Sequence, residues 1–335
     1  MLTLGIESSC DETSAAVVRA GREILSNVIL SQTIHSKFGG VVPEVASRAH
    51  LKTIVPIYRS ALEEAGVDLD RIELIACTIG PGLVGPLLVG LSFGKGLALA
   101  TGKPFVAVHH IEGHLAANIL EHHDLDSHHL TLIVSGGHTM LVEVKSFGHY
   151  EILGRTKDDA AGEAFDKVAK LMGLGYPGGA RLDQLAQSGK RDYVRFPRAL
   201  KAEPGYRFSY SGLKTAVALY LEKLDSEEFE AHKADIAASF QEAAVEVLVK
   251  KTVRAAREKG IRHVTLSGGV AANSRLRETM SEALKRYQMT LYYPSLNLCT
   301  DNAAMIAAAG YFRYKEHGPS EPVVNAVPYL DLADW

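Results

Sequence analysis

Two parts of the chain begin with the same arrangement of hydrophobic and polar positions. The apolar run 2–4 (LTL) recurs as 130–132 (LTL), and each copy leads into a polar turn and a second run with period-two alternation. A third run follows a glycine in both copies, Gly21 in the first and Gly148 in the second. Alternation of this kind bounded by turn residues predicts strands. The repeated strand–turn–strand–strand pattern therefore predicts an internal duplication.

After each set of strands the pattern changes to strands that alternate with helices, which is typical of an α/β fold. Residues 235–259 carry an apolar stripe at helical spacing and end in basic residues before Gly260, as a helix end does. The other predicted strands cover 74–78, 104–108 and 261–266. The other predicted helices are one that ends near Ala100, three that cover 112–121, 159–172 and 302–309, and one that begins at Asn273. We expect two similar lobes that face a shared cleft, an arrangement suited to a nucleotide.

A length of 335 residues is consistent with two domains. We expect a first lobe made of 1–128 together with 302–335, and a second lobe made of 129–301. The first boundary follows a loop rich in histidine and aspartate, 121–129. The last helix is expected to return to the first lobe.

The composition is that of a soluble enzyme, with 47% hydrophobic and 22% charged residues and a net charge of −3. It excludes a disordered chain or a coiled coil, and it argues against coating of nucleic acid by net positive charge. Three widely spaced cysteines predict no disulfide framework. The acidic N-terminus is not a signal peptide, and the apolar stretch 83–100 is interrupted by glycines, Pro86 and Lys95, so it predicts a buried helix. A cytoplasmic protein without a membrane partner is expected.

Eight of the fourteen histidines lie within thirty residues. His110 and His114 are four apart at a predicted helix start, so both rings can reach one ion. Metalloproteases share this spacing, but Glu112 does not directly follow the first histidine, and about 200° of helix rotation turns it away. Exposed or capping histidines remain the alternative. We expect His109 to face away and the remaining loop histidines to be solvated: His122, His123, His128 and His129.

Asp301 is the candidate for a third ligand because it precedes the last predicted helix, although a helix cap is the commoner reason for aspartate there. Two histidines and one carboxylate would leave open positions on the ion. Such a set suits iron(II) or zinc better than magnesium.

Paired glycines follow two predicted strands, in 133–137 (IVSGG) and 266–269 (LSGG). Without side chains, the backbone N–H groups of such turns can approach a phosphate or a ribose. An ordinary tight turn is the alternative for each one. Two similar turns, together with 80–82 (GPG) and 177–179 (PGG), favour a nucleotide site. Asp166 and Asp183 flank the last of these turns, where a solvated face would also explain them.

The segment 190–214 carries seven basic residues against two acidic ones, with five interleaved aromatic residues. Basic residues for phosphates and rings for unstacked bases are typical of single-stranded RNA recognition. A solvated surface segment is the alternative.

Five motifs occur in order along the chain: 5–13 (GIESSCDET), 110–114 (HIEGH), 134–138 (VSGGH), 208–214 (FSYSGLK) and 267–273 (SGGVAAN). Together they resemble the bacterial form of the tRNA adenosine threonylcarbamoyltransferases, once labelled O-sialoglycoprotein endopeptidases. The similarity spans residues 2 to about 310. Tyr210 stands where the family often has phenylalanine.

The resemblance implies a duplicated two-lobe α/β fold of the actin/hexokinase/Hsp70 (ASKHA) type. It implies transfer of the threonylcarbamoyl group from threonylcarbamoyl-AMP to the exocyclic amine of adenosine 37, in tRNAs that read codons starting with A, with release of AMP. The implied partners are tRNA, an inactive paralogue subunit (TsaB-type) and a small ATPase subunit (TsaE-type). One divalent ion per chain is expected, iron(II) rather than zinc.

The resemblance also implies roles for individual residues. His110, His114 and Asp301 would hold the metal. The adenylate would be bound by Ile133, Val134, Ser135, Gly136, Gly137, Asp166, Gly179, Asp183 and Asn273. Asp11 and Glu12, in the first polar turn, are candidates to accept the proton of the amine or to orient the site.

Two other classes compete with this interpretation. A magnesium-dependent small-molecule kinase of the same fold would use carboxylates and would not need His110 and His114. An ATP-driven binding module of the Hsp70 type would need a peptide-binding domain, for which no part of the sequence is expected to remain.

Overall fold

The computed structural model describes residues 1–321 and 323–335, and it divides into two compact units. Unit 1 contains Met1–Leu125 and Pro294–Trp335, and unit 2 contains Asp126–Tyr293. The second boundary thus lies eight residues before the expected one. The reason is a contact within unit 1: the Ser295 backbone N–H donates to Glu121 Oε2 over 2.6 Å. The segment that carries Asp301 therefore belongs to unit 1.

Unit 1 is built on a five-stranded sheet with the order β3-β2-β1-β4-β5. The first three strands are antiparallel neighbours, and the last two run parallel to β1. Its strands are β1 (Leu2–Glu7), β2 (Glu12–Arg19), β3 (Glu23–Ser31), β4 (Leu74–Gly80) and β5 (Phe105–His109), and its first helices are α1 (Pro43–Ala65), α2 (Val84–Thr101) and α3 (His110–Glu121).

Unit 2 repeats this topology in a second sheet with the order β10-β9-β6-β7-β8. Its strands are β6 (His129–Val134), β7 (Thr139–Ser146), β8 (His149–Arg155), β9 (His263–Ser267) and β10 (Thr290–Tyr292). Its helices are α4 (Ala161–Leu171), α5 (Gly179–Ala186), α6 (Ser211–Leu221), α7 (Ser226–Lys259) and α8 (Ser274–Lys285). The central strand again has one antiparallel and one parallel neighbour, so the predicted duplication is confirmed.

A short-range feature explains why one helix begins before its predicted start. Helix α7 begins nine residues early because Asp225 Oδ1 accepts from the Glu228 N–H over 2.8 Å and caps it. The added turns are polar, so the apolar stripe does not mark them. The last two α-helices of the described residues are α9 (Leu296–Cys299) and α10 (Ala303–His317), both in unit 1.

Helix α2 is long and apolar enough to cross a membrane by length and composition alone. Its buried residues nevertheless fall on one face, among them Leu87, Leu91 and Ala98. Burial at this spacing is how a helix packs on the sheet of a globular unit. The buried face of α2 agrees with the prediction of a helix packed inside the protein.

The packing of α10 on β1 positions the residues just before α10. Gly5 lies in the middle of β1, and a Cβ there would be 2.2 Å from the Ala303 carbonyl oxygen. Only glycine allows the helix backbone to come this close to the strand. The approach places Asp301, two residues ahead of α10, near the carboxyl end of β1.

Candidate metal and nucleotide sites

The two predicted metal-binding histidines lie on the first turns of α3, which begins directly after β5. His109 caps this helix because its Nδ1 accepts from the Ile111 N–H. His110 and His114 are both buried, and their ring centroids are 4.8 Å apart. The helical spacing therefore puts both imidazoles on one face, as predicted, while His109 turns away.

The side chain of Asp301 lies close to both His110 and His114. Its Oδ1 lies 3.5 Å from His110 Nε2 and 3.2 Å from His114 Nε2. Asn302 caps α10 instead, since its Oδ1 accepts from the Met305 N–H over 3.0 Å. The alternative of an aspartate cap is therefore wrong for Asp301. One ligand atom from each of the three residues lies within 4.8 Å of the others.

Sequence reasoning did not assign a role to Glu7, the last residue of β1. Its carboxylate is fully buried, and Oε2 lies 3.2 Å from His110 Nδ1 and accepts a 2.6 Å bond from Thr78 Oγ1. The Ser9 N–H donates to its other oxygen. A carboxylate on one ring nitrogen directs the other nitrogen to an ion, as around metal-bound histidines. An acidic residue that ends an apolar central strand was the available signal.

Two carboxylates, Asp301 and Glu7, lie close to His110. Burial alone would lower the pKa of His110, but Asp301 and Glu7 outweigh it and raise that pKa to about 9. Both carboxylates thus stabilise a positive charge at this position. A divalent cation is one way to provide it.

The donor set fits a divalent ion. Among the described residues, neither ring nitrogen of the buried His114 makes a hydrogen bond, although Nε2 lies 3.2 Å from Asp301 Oδ1, and such a ring is costly to bury unless another ligand is present. The two nitrogen–oxygen distances are close to the spacing of about 3.0–3.4 Å between ligands that are each about 2.1 Å from one ion. Two imidazoles and a carboxylate suit iron(II) or zinc by their chemistry.

Asp11 lies in the turn between β1 and β2, and Glu12 is the first residue of β2, both in unit 1. His50 of α1 holds this turn, with Nδ1 2.8 Å from Thr13 Oγ1 and Nε2 3.0 Å from the Cys10 carbonyl oxygen. Burial, Asp301 and Asp11 raise the pKa of Glu12 well above its usual range. The charge of Asp301 therefore acts on the carboxylate of Glu12. Neither Asp11 nor Glu12 belongs to the group of three ligands.

The two paired-glycine turns of unit 2 lie side by side. Strands β6 and β9 are parallel neighbours, with Ile133 opposite Ser267, so both turns leave the same edge of the sheet. Gly268 has a φ of +90°, and a Cβ there would lie 2.5 Å from the Val134 carbonyl oxygen. Gly136 and Gly137 are exposed, with open space where a Cβ would lie. Ile133 and Val134 are buried at the end of β6, and Ser135 Oγ accepts from the His138 N–H.

The predicted polar residues of unit 2 brace these turns. Asp166 Oδ1 accepts 2.9 Å bonds from the N–H groups of Gly178 and Gly179. Asp183 accepts from the N–H and hydroxyl of Ser274. The solvated-face alternative is thus wrong for both aspartates.

Asn273 caps α8 through its Oδ1, and its Nδ2 donates to Gln241 Oε1 over 2.8 Å. Next to it lies a cavity of about 390 Å³. This cavity is lined by Ala186, Gln187, Arg191, Ala238, Gln241, Glu242, Ser274, Arg275 and Glu278. Unit 2 therefore has an exposed backbone turn at 136–137 and, beside Asn273, a cavity lined mainly by polar and charged residues.

The turn 80–82 does not resemble the turns of unit 2. The segment after α10 covers it: the Val327 N–H donates to the Ile79 carbonyl, and the Gly82 N–H donates to the Pro328 carbonyl. The N–H of Gly82 is therefore used in a hydrogen bond within unit 1. A contribution of this turn to a nucleotide site stays a prediction.

Part of the basic and aromatic segment packs against its own unit. Phe196, Phe208 and Tyr210 are buried. Arg198 and Lys201 both pair with Glu246 of α7. Asp158 fixes the 208–214 motif by accepting from the N–H groups of Tyr210 and Ser211, and Lys214 pairs with Asp159 over 2.7 Å. Lys190, Arg191, Arg195 and Arg207 are exposed, as is the ring of Tyr193, so an RNA-binding role for this segment stays a prediction.

One of the loop histidines also differs from expectation. His129 is buried at the start of β6, where its Nδ1 lies 2.8 Å from the Asp126 carbonyl oxygen. His128 is half exposed and pairs with Glu143. Strand β6 begins at His129, one residue before the expected run 130–132, which accounts for the difference.

The family model for tRNA N6-adenosine threonylcarbamoyltransferase matches residues 23–308. Curated relatives with that name include proteins from Clostridioides difficile (strain 630), 54% identical, and Clostridium botulinum (strain 657 / Type Ba4), 52% identical. Each alignment covers 99% of this chain and 98% of the relative.

Solved structures of similar fold are more distant in sequence. HypF from T. kodakarensis has a TM-score of 0.64 at 15% identity, over 94% of this chain and 48% of that one. Component A of the Acidaminococcus fermentans (R)-2-hydroxyglutaryl-CoA dehydratase has a TM-score of 0.57 at 16% identity, over 94% and 99%. These neighbours and the duplicated sheets confirm the predicted ASKHA-type fold.

Proposed function

The chain belongs to the tRNA N6-adenosine threonylcarbamoyltransferase family, and on that premise we propose that it forms threonylcarbamoyladenosine in tRNA. The threonylcarbamoyl group passes from threonylcarbamoyl-AMP to the exocyclic amine of adenosine 37, and AMP leaves. The observation that carries the proposal is full-length similarity at 52–54% identity to enzymes of that name. The group of His110, His114 and Asp301 adds to it, because a magnesium-dependent kinase has no need of two imidazoles.

In this proposal His110, His114 and Asp301 hold one divalent ion, iron(II) in preference to zinc. When bound, such an ion supplies Lewis acidity to the carbonyl of the threonylcarbamoyl group. Glu7 keeps His110 Nδ1 occupied, since that nitrogen lies 3.2 Å from Glu7 Oε2. The lone pair of Nε2 is thereby directed toward Asp301, where the ligands converge.

The adenosine half is assigned to unit 2. The exposed Gly136 and Gly137 would offer their backbone N–H groups to the phosphate, as glycine turns do. Asp166 keeps the loop before α5 in place, and Asp183 and Asn273 fix the start of α8 beside the cavity. The proposed nucleotide contacts are therefore Ile133, Val134, Ser135, Gly136, Gly137, Asp166, Gly179, Asp183 and Asn273.

The reaction is acyl transfer from a mixed anhydride. The adenosine nitrogen forms a bond to the carbamoyl carbon, the bond from that carbon to the phosphate oxygen breaks, and AMP carries away the electron pair. The nitrogen loses one proton, and we assign its acceptor to Asp11, in the β1–β2 turn, or to Glu12, at the start of β2. An aromatic amine is a weak nucleophile, so positioning of the two reactants provides much of the rate.

The proposed partners are tRNA as acceptor, the inactive paralogue subunit and the small ATPase subunit. A separate enzyme must supply the adenylate, because nothing assigned here activates threonine. With tRNA as acceptor, the cytoplasm is the proposed compartment.

The decisive experiment is transfer of labelled threonine to tRNA by the full chain, with a source of threonylcarbamoyl-AMP and both partner subunits. Labelled tRNA with the wild type and its loss with His110→Ala would support the proposal. No labelling by a folded wild-type chain, together with magnesium-dependent phosphorylation of a small molecule, would overturn it in favour of the kinase.

A further inference from the structure

The segment that follows α10 lies along unit 1, close to the start of the metal-binding helix. Ser320 pairs with β5: its N–H donates to the Phe105 carbonyl and its Oγ accepts from the Ala107 N–H. Further along, the Val327 N–H donates to the Ile79 carbonyl over 2.7 Å. The segment thus follows the strand that leads into α3.

This segment reaches α3 through Trp335. The indole Nε1 donates a 2.8 Å hydrogen bond to Glu112 Oε2. The Arg313 guanidinium stacks on the indole with its carbon 3.8 Å from the ring centroid, and its Nη1 lies 4.0 Å from the same Glu112 oxygen. The indole also lies against His109, with ring centroids 5.6 Å apart.

Glu112 is well placed to transmit this contact to the site. It lies midway between His110 and His114 in sequence, but about 200° of rotation places it on the other side of α3. Its side chain is fully buried. A buried carboxylate is stable only where donors and positive charge compensate its lost hydration. Trp335 and Arg313 provide both.

We propose that Trp335 and Arg313 are positioning residues that fix the rotation and depth of α3 through Glu112. This inference rests on the proposed metal site. Helix α3 is then held on two sides: Glu7 and Ser9 contact His110 Nδ1 on one, each at 3.2 Å, and the Trp335 indole holds Glu112 on the other. The imidazoles of His110 and His114 keep their separation from Asp301 only while both sides are held.

The test is titration of the metal-free full chain with Co²⁺, followed by the visible absorption bands of the bound ion. Trp335→Phe keeps a ring for Arg313 but removes the donor to Glu112, and Trp335→Ala removes both. We expect about tenfold weaker Co²⁺ binding for Trp335→Phe, a larger loss for Trp335→Ala, and shifted bands in both, in the range of outer-shell substitutions. Tyr329→Ala is the matched control, since that ring in the same segment is 96% exposed, and it should bind like the wild type.

The outcomes separate this inference from the metal proposal. A folded wild-type chain that gives no Co²⁺ bands would refute the metal site itself. Wild-type bands with an unchanged affinity and spectrum in Trp335→Phe would overturn the positioning role alone. If Trp335→Ala does not fold by circular dichroism, Trp335→Phe decides the question, because it retains most of the buried area.

Discussion

Replacing Gly5 by alanine tests whether the close packing of α10 on β1 builds the metal site. The added Cβ would lie 2.2 Å from the Ala303 carbonyl oxygen and 2.8 Å from the Ala307 nitrogen, whereas ordinary contacts begin at 3.4 Å. Both obstacles are backbone atoms, so no side-chain rotation relieves them. Helix α10 must move by about 1 Å, the shortfall between these distances.

Overpacking of this kind costs about 1–3 kcal/mol, and we expect the upper end for a rigid strand against a rigid helix. The free energy of unfolding of the metal-free chain should fall by about 3 kcal/mol in chemical denaturation. Because Asp301 precedes α10 by two residues, Co²⁺ affinity should fall as well. The same displacement of α10 thus lowers both the free energy of unfolding and the Co²⁺ affinity.

Gly96→Ala is the matched control. Gly96 lies inside α2, and nothing lies within 4 Å of a Cβ built there. The same chemical change should therefore stabilise the chain by up to about 1 kcal/mol, since alanine favours helix over glycine. If Gly5→Ala unfolds within about 0.5 kcal/mol of the wild type and binds Co²⁺ equally well, the packing argument is wrong.

Three further predictions concern single carboxylates. Glu7→Gln removes the charge on His110 Nδ1 and should weaken metal binding by about 10–100-fold in the same titration; an unchanged affinity would contradict the orienting role. Glu12→Gln should slow threonylcarbamoyl transfer by at least about 100-fold with metal affinity intact, and full activity would remove Glu12 as proton acceptor. Glu143 is tied to Lys259 and His128, which lower its pKa although burial opposes them. Its folded pKa lies below the usual 4.5, so its stabilisation is present above that pH and is lost as pH falls through the folded value. Glu143→Gln should therefore cost about 1–2 kcal/mol at neutral pH and much less in acid; an equal loss at both pH values would refute this.

Local chemistry was well predicted wherever the interaction spans a few residues. The spacing of His110 and His114 fixes their common face, because the helical period alone decides it. The paired glycines at 136–137 and 268–269 likewise follow directly after strands, as predicted. The alternation of apolar residues also predicted the duplicated strand pattern.

The basic segment illustrates what composition leaves open. Its charge and rings suggested an RNA surface, but Glu246 of α7 pairs with Arg198 and Lys201, and three of the aromatic side chains are buried. Glu246 lies more than forty residues away from both along the chain. Which charges remain exposed is therefore decided by tertiary packing.

The sequence by itself determined the duplicated fold, the helix face with two histidines and the glycine turns, because each depends on a local period or a missing side chain. Only the tertiary structure decided that Glu7 orients His110, that Asp301 is a neighbour of both histidines while Asn302 caps α10, and that Trp335 contacts Glu112. Each of these contacts joins segments far apart in sequence. They depend on the order of strands in one sheet and on how closely α10 approaches Gly5, which no local pattern encodes.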